Sequence, residues 1–183
     1  AALAKVASEQ KLRAQLEEKE RKRLETETKN LREYRSVFFG RLKKILGDIE
    51  GIDVVGDRFV FSSEVLFDRG SADLGMAGKV QLDTISKVLK DISQKIPNDI
   101  NWVLRVDGHT DKTPVSQNSV FNDNWELSQA RSLSVVKYMI NTHNIDPKRM
   151  SAAGFGEHQP ISFSNSEEAL AKNRRIEFKL TER

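Results

Sequence analysis

A chain of 183 residues without cysteine holds no disulfide framework and no thiolate metal site, and is long enough for one ordinary domain plus an appendage. Its formal charge of +3 is local: residues 1–50 carry 13 Lys/Arg against 9 Asp/Glu, and the remainder carries 17 against 18. That near-neutral remainder argues against nucleic-acid binding, which needs a basic stripe, and no apolar run approaches the ~20 residues of a membrane-spanning helix.

Residues 1 to about 49 read as one long helix. No Pro or Gly precedes Gly40, and Ala, Leu, Glu, Lys, Arg and Gln dominate, all good helix formers. Glu17–Arg21, Glu18–Lys22 and Glu25–Lys29 stand at i,i+4 in the favourable acid-first order. Leu24, Leu31, Phe38 and Ile45 recur every seven residues, but the companion seam is mostly polar. The pattern fits a self-associating coil and a solvated spacer equally. With neither a signal-peptide pattern nor an initiating Met, the chain reads as a mature product or fragment whose anchor would precede Ala1.

From Gly51 the texture changes. Asp57 to Phe61 alternates like a short strand, and Leu66 to Asp73 reads as a strand end or loop leading into a helix. That helix carries Leu82, Ile85, Leu89, Ile92 and Ile96 as an apolar stripe, and Pro97 stops it. Trp102 to Val106 predicts a second strand with Trp102, Leu104 and Val106 on one face. After a polar loop, Asp123 and Glu126 form a capping box for a helix running to about Asn144, which buries Val135, Val136, Met139 and Ile140. Short strands follow near Met150–Ala153 and Arg175–Leu180. Strands interleaved with two amphipathic helices indicate an α+β fold, a two-layer βαβαβ-type sandwich preceded by a long N-terminal helix. The division is residues 1–50 as stalk and 51–183 as domain.

The polar residues admit three readings. Asp107, His109 and Asp111, at every second position, would converge on a cation if the strand ran through Asp111, but Gly108 and Lys112-Thr113-Pro114 suggest an earlier turn. Ser128 lies in the first turns of a helix without the GxSxG elbow of a nucleophile. In the third reading, Asn124, Ser128 and Arg131 share a helix face at i, i+4 and i+7, and the loop carrying Asp111 folds over it. Asp111 and Arg131 then either clamp a zwitterion, carboxylate to ammonium and guanidinium to carboxylate, or neutralise each other. Spacing leaves both open.

Gly108-His109-Thr110-Asp111, Asn124-Trp125-Glu126-Leu127-Ser128 with Arg131, Gly154-Phe155-Gly156-Glu157 with Pro160, and Asn173-Arg174-Arg175 together resemble the OmpA-like C-terminal domain shared by OmpA, Pal lipoproteins and MotB. The order holds from about Phe59 to Leu180, and the Asn-Trp-Glu-Leu-Ser stretch is most similar to the MotB branch. The resemblance implies non-covalent peptidoglycan binding, with neither catalysis nor a cofactor. It assigns Asp111 and Arg131 to the diaminopimelate of the stem peptide. Thr110, Asn124 and Leu127 fall on pocket positions, with Arg174 and Arg175 pocket-adjacent or tying down the last strand. It also implies a Gram-negative periplasmic location with an inner-membrane anchor upstream, membrane-protein partners through that segment, and a tethering role of the stator or envelope-integrity kind. Pairing of two chains through the helix is the other expectation. His109 is expected to orient the turn through hydrogen bonds.

Overall fold

Helix α1 (Ala2–Leu46) opens the computed structural model, which describes residues 2–46, 52–98 and 100–182. The expected continuation to residue 49 and the boundary at residue 50 lie outside the described residues. Of the anticipated ion pairs Glu18–Lys22 forms at 2.8 Å, whereas Glu17 and Glu25 reach back to Arg13 and Arg21 at 3.7 and 3.8 Å. These exposed pairs contribute a few tenths of a kcal/mol each.

The seven-residue apolar seam divides in two. Leu24 is 50% exposed, whereas Leu31 and Phe38 are 5% and 0% exposed. The buried part packs into the chain's own core, where Phe39 stacks on Phe59 with ring centroids 4.9 Å apart. Residues assigned to the stalk by sequence therefore belong to the domain's core. The preceding stretch of α1, to about residue 26, spans roughly 37 Å.

Among the described residues five strands form one sheet, in the order β1-β2-β5-β3-β4. They are β1 (Ile52–Val55), β2 (Arg58–Ser62), β3 (Trp102–His109), β4 (Met150–Gly154) and β5 (Arg175–Glu182). Neighbours are antiparallel except β3 with β4. Strand β1 adds to the expected βαβαβ order; it hairpins onto β2 through Gly56, whose φ of 60° suits a residue without Cβ.

Four further α-helices follow among the described residues, α2 (Ser63–Leu66), α3 (Met76–Ser93), α4 (Asn124–His143) and α5 (Glu167–Asn173), with a 3-10 turn at Pro147–Arg149. Helix α3 ends before Pro97, so Ile96 enters the core from the turn beyond it rather than from the helix. Helix α4 starts where the capping box requires, with Asp123 accepting from Glu126 N at 2.9 Å. The reciprocal arm differs from expectation: the Glu126 carboxylate takes the N–H of Asn122, one residue earlier. At its other end α4 buries Val135, Val136 and Met139, while Ile140 is half-buried, and Asn144 closes it in the left-handed conformation.

Register separates the two faces of the sheet. Phe59–Phe178, Phe61–Ile176, Leu104–Leu180 and Val106–Phe178 are paired positions on the apolar face, against the helices. The alternate residues, Arg105, Asp107, His109, Arg175, Glu177 and Lys179, form the other face. Gly108 and Gly154, paired across β3 and β4, set the seating of α4. A Cβ at Gly108 would meet Ser128 O at 2.2 Å, and one at Gly154 would meet Gln129 N at 2.5 Å. Two missing methyl groups thus let the first turns of α4 lie directly on the strand ends.

Candidate ligand-binding site

Strand β3 stops at His109, β2 runs into α2, and β5 starts at Arg175, so three segments open at the same end of the sheet. Between them and the start of α4 lies a cleft of about 1200 Å³. Thr110, Asp111, Asn124, Leu127, Arg131 and Arg174 all line it. Arg175, the remaining expected residue, does not.

The clamp is arranged differently from the simple opposition of Asp111 and Arg131. Asp111 accepts the backbone N–H of Thr113 at 2.7 Å on one oxygen and Arg174 Nη1 at 2.5 Å on the other. Burial opposes its charge, but the Arg174 and Thr113 hydrogen bonds hold its pKa below the ordinary value. Arg174 also reaches Glu64 at 2.6 Å and Glu167 at 2.5 Å. Burial works against the Arg174 charge too, and these three carboxylates outweigh it and raise its pKa.

Arg131 is 5% exposed and has no such partner. Its Nε donates to Ser71 O at 2.8 Å and its guanidinium lies over the Phe67 ring at 5.2 Å. Among the described residues no carboxylate stands within ion-pair distance of it. Burial, reinforced by the nearby Arg174 charge, pushes its pKa down to about 10, so it remains a cation at neutral pH. The alternative in which Asp111 and Arg131 neutralise each other is not what forms.

The other lining residues have distinct tasks. Asn124 Nδ2 donates to Thr113 O at 3.0 Å and Glu157 at 2.5 Å, tying the start of α4 to both adjoining loops. Thr110 N donates to Gly156 O at 2.9 Å, while its buried hydroxyl has no partner among the described residues. Leu127 supplies a buried apolar wall. Ser128 donates its hydroxyl to Trp125 O at 3.0 Å and accepts Gly156 N at 2.9 Å, so it fastens a loop and is not poised as a nucleophile.

Behind the sheet lies a second charged cluster. Arg175, 2% exposed, donates Nε to Glu177 at 2.7 Å and its other nitrogens to the Asn173 and Gln159 carbonyls. Arg58 takes the second oxygen of Glu177 at 2.7 Å. Asp107 receives both arms of Arg105 at 2.7 Å. Asp107 and His109 are therefore on the face away from Asp111, and the three residues of the metal reading do not converge.

His109 departs from its expected role. Neither ring nitrogen has a hydrogen-bond partner among the described residues, and the ring stacks on Phe155 at 5.1 Å. Burial, together with the Arg175 charge, pushes its pKa down to about 4.

Sequence reasoning missed Glu64, Phe67, Ser71 and Glu167. The turn-rich Asp68-Arg69-Gly70-Ser71, closed by a Phe67–Leu74 bridge with Gly70 at φ 70°, was the available signal for the loop presenting Ser71 O.

Fold and cleft together define a binding domain that presents, beside the Asp111 carboxylate, a buried guanidinium with no carboxylate partner among the described residues. The OmpA family model matches residues 66–174, more than half of the chain, and the chain belongs to the OmpA family. It is 34% identical over 125 residues to YtxE of Bacillus subtilis, covering 68% of this chain and 48% of that protein. It is 39% identical over 72 residues to Motility protein B of the same organism, covering 39% of this chain and 27% of that protein. The chain thus spans half or less of the length of these relatives. The crystal structure of a MotB-like protein from Desulfovibrio vulgaris superposes with a TM-score of 0.72 at 28% identity, covering 86% of this chain and 96% of that one. OmpA-family membership makes this a peptidoglycan-binding, cell-wall-anchoring kind of domain rather than an enzyme.

Proposed function

We propose that the cleft grips the free amino-acid end of diaminopimelate in the peptidoglycan stem peptide. The carrying observation is Arg131: buried, charged, lining an open cleft, and without a carboxylate of its own among the described residues. A ligand carboxylate would meet the planar donor fork of its guanidinium. The ligand ammonium would join the Asp111 carboxylate, which Arg174 and Thr113 already keep ionised and oriented. Binding to intact cell wall would tether whatever the chain is joined to, in the periplasm and through an upstream inner-membrane anchor in a stator-type or envelope-integrity assembly. Asp111→Ala and Arg131→Ala are each expected to abolish co-sedimentation with purified sacculi while the circular-dichroism spectrum stays unchanged. Full retention by both variants would end this reading.

A second reading concerns α1, where Leu12, Leu16 and Leu24 are exposed along the part that precedes the core. Burial of these side chains against a second copy is the reading's physical basis. Sedimentation velocity with and without residues 1–26 tests it. This truncation keeps Leu31, Phe38 and Phe39, which the sheet needs. The same number of chains per particle in the two forms would exclude pairing through these residues.

A further inference from the structure

We propose that the uncharged loop from Thr113 to Asn122 forms a second subsite of the cleft, for the neutral D-alanine side of the stem peptide next to diaminopimelate. This rests on the Asp111/Arg131 reading above and deepens it. The charged grip takes one amino-acid terminus, but the cleft of about 1200 Å³ exceeds the usual ~300–1,000 Å³ of small-ligand pockets. There is room for more of the peptide than its zwitterionic end.

The wall that fills the surplus has a distinct chemistry. In a chain with 31% charged residues, Thr113-Pro114-Val115-Ser116-Gln117-Asn118-Ser119-Val120-Phe121-Asn122 contains no charge. Pro114, Val115, Val120 and Phe121 all line the cleft, and Val120 is 87% exposed there. An apolar side chain left open on a ligand-facing wall gains from being covered. A methyl group and a peptide amide suit such a wall. A ligand carboxylate, such as the free α-carboxylate of the γ-linked glutamate preceding diaminopimelate, would find no counter-charge on it, which favours the alanine side as occupant.

The loop is also fixed in shape. Its start is tied by Thr113 N to Asp111 Oδ1 at 2.7 Å and by Asn124 Nδ2 to Thr113 O at 3.0 Å. Its end is tied by Asn122 N to Glu126 at 2.8 Å, and Ser119 N donates to Ser116 O at 2.9 Å between them. A preformed wall loses little freedom on binding. Because Asp111 itself anchors the loop, the charged grip and the neutral wall are held in fixed relation.

The test is calorimetric titration of the full chain with free diaminopimelate, the stem tripeptide ending in diaminopimelate, and the tetrapeptide bearing one further D-alanine as its C-terminal amide. The tetrapeptide is expected to bind about three- to tenfold more tightly than the tripeptide, the order of a partly buried methyl and valine. Val120→Ser, an exposed change, is expected to remove most of that gain and leave free diaminopimelate within about twofold of wild type. Equal affinities for the tripeptide and tetrapeptide, or an undiminished gain in Val120→Ser, would overturn the subsite. Failure of all three probes with the wild-type chain would overturn the grip and the subsite together; binding of free diaminopimelate tells the two failures apart.

Discussion

Arg131 and Arg175 are both buried arginines, at 5% and 2% exposure, on opposite sides of one sheet. Burial lowers the pKa of each. Arg175 distributes its donors over Glu177 and two carbonyls, whereas Arg131 has one carbonyl and a ring face. A buried charge with its donors satisfied holds a fold together, and one with donors to spare is ready for a guest. Position in a sequence motif is a poor guide to which kind an arginine is, since the adjacent Arg174 and Arg175 point to different faces.

The largest expected effect tests the satisfied side. Glu177→Ala leaves Arg175 buried without its carboxylate and strips Arg58 as well, which should cost roughly 3–5 kcal/mol in urea unfolding. Arg131→Met should do the reverse in the same assay: stability unchanged within about 1 kcal/mol, or raised, because a desolvated cation is removed, together with complete loss of sacculus binding. A large destabilisation by Arg131→Met would erase the contrast.

His109 sharpens the comparison through pH. The unfolded imidazole takes its proton near 6.5 and the folded one only near 4. Between these values the unfolded state binds more protons, so stability rises with pH through that window and falls on acidification. The full span is on the order of 3 kcal/mol. Thermal melts at pH 4.5 and 7 should differ more for the wild-type chain than for His109→Gln; equal differences would dismiss the histidine. The smallest effect belongs to α1. Removing residues 1–26 should change unfolding free energy by less than about 1 kcal/mol, since only exposed pairs go.

Periodicity made the two main helices and the inner face of the strands readable, because Leu82–Leu89 and Ile176–Leu180 depend only on local spacing and burial. Asp111, Arg131 and their neighbours line one cleft, as the resemblance carried by four motifs in order implied. Pairing across the fold was not readable. Nothing local says that Arg174 reaches Asp111 across 63 positions of chain, or that Arg175 turns to Glu177 behind the sheet. Leu31 and Phe38 misled for the same reason: a seven-residue repeat states which side of a helix is apolar, not whether the surface it meets is another helix or the chain's own sheet.

Because Phe38 is sealed in the core and Phe39 is stacked on Phe59, the helix and the sheet share one load path. Tension applied at the far end of the rod would pass into β2 as shear across packed rings. A domain mounted this way would feel a pull on its N-terminal helix at once, through the same rings that complete its core.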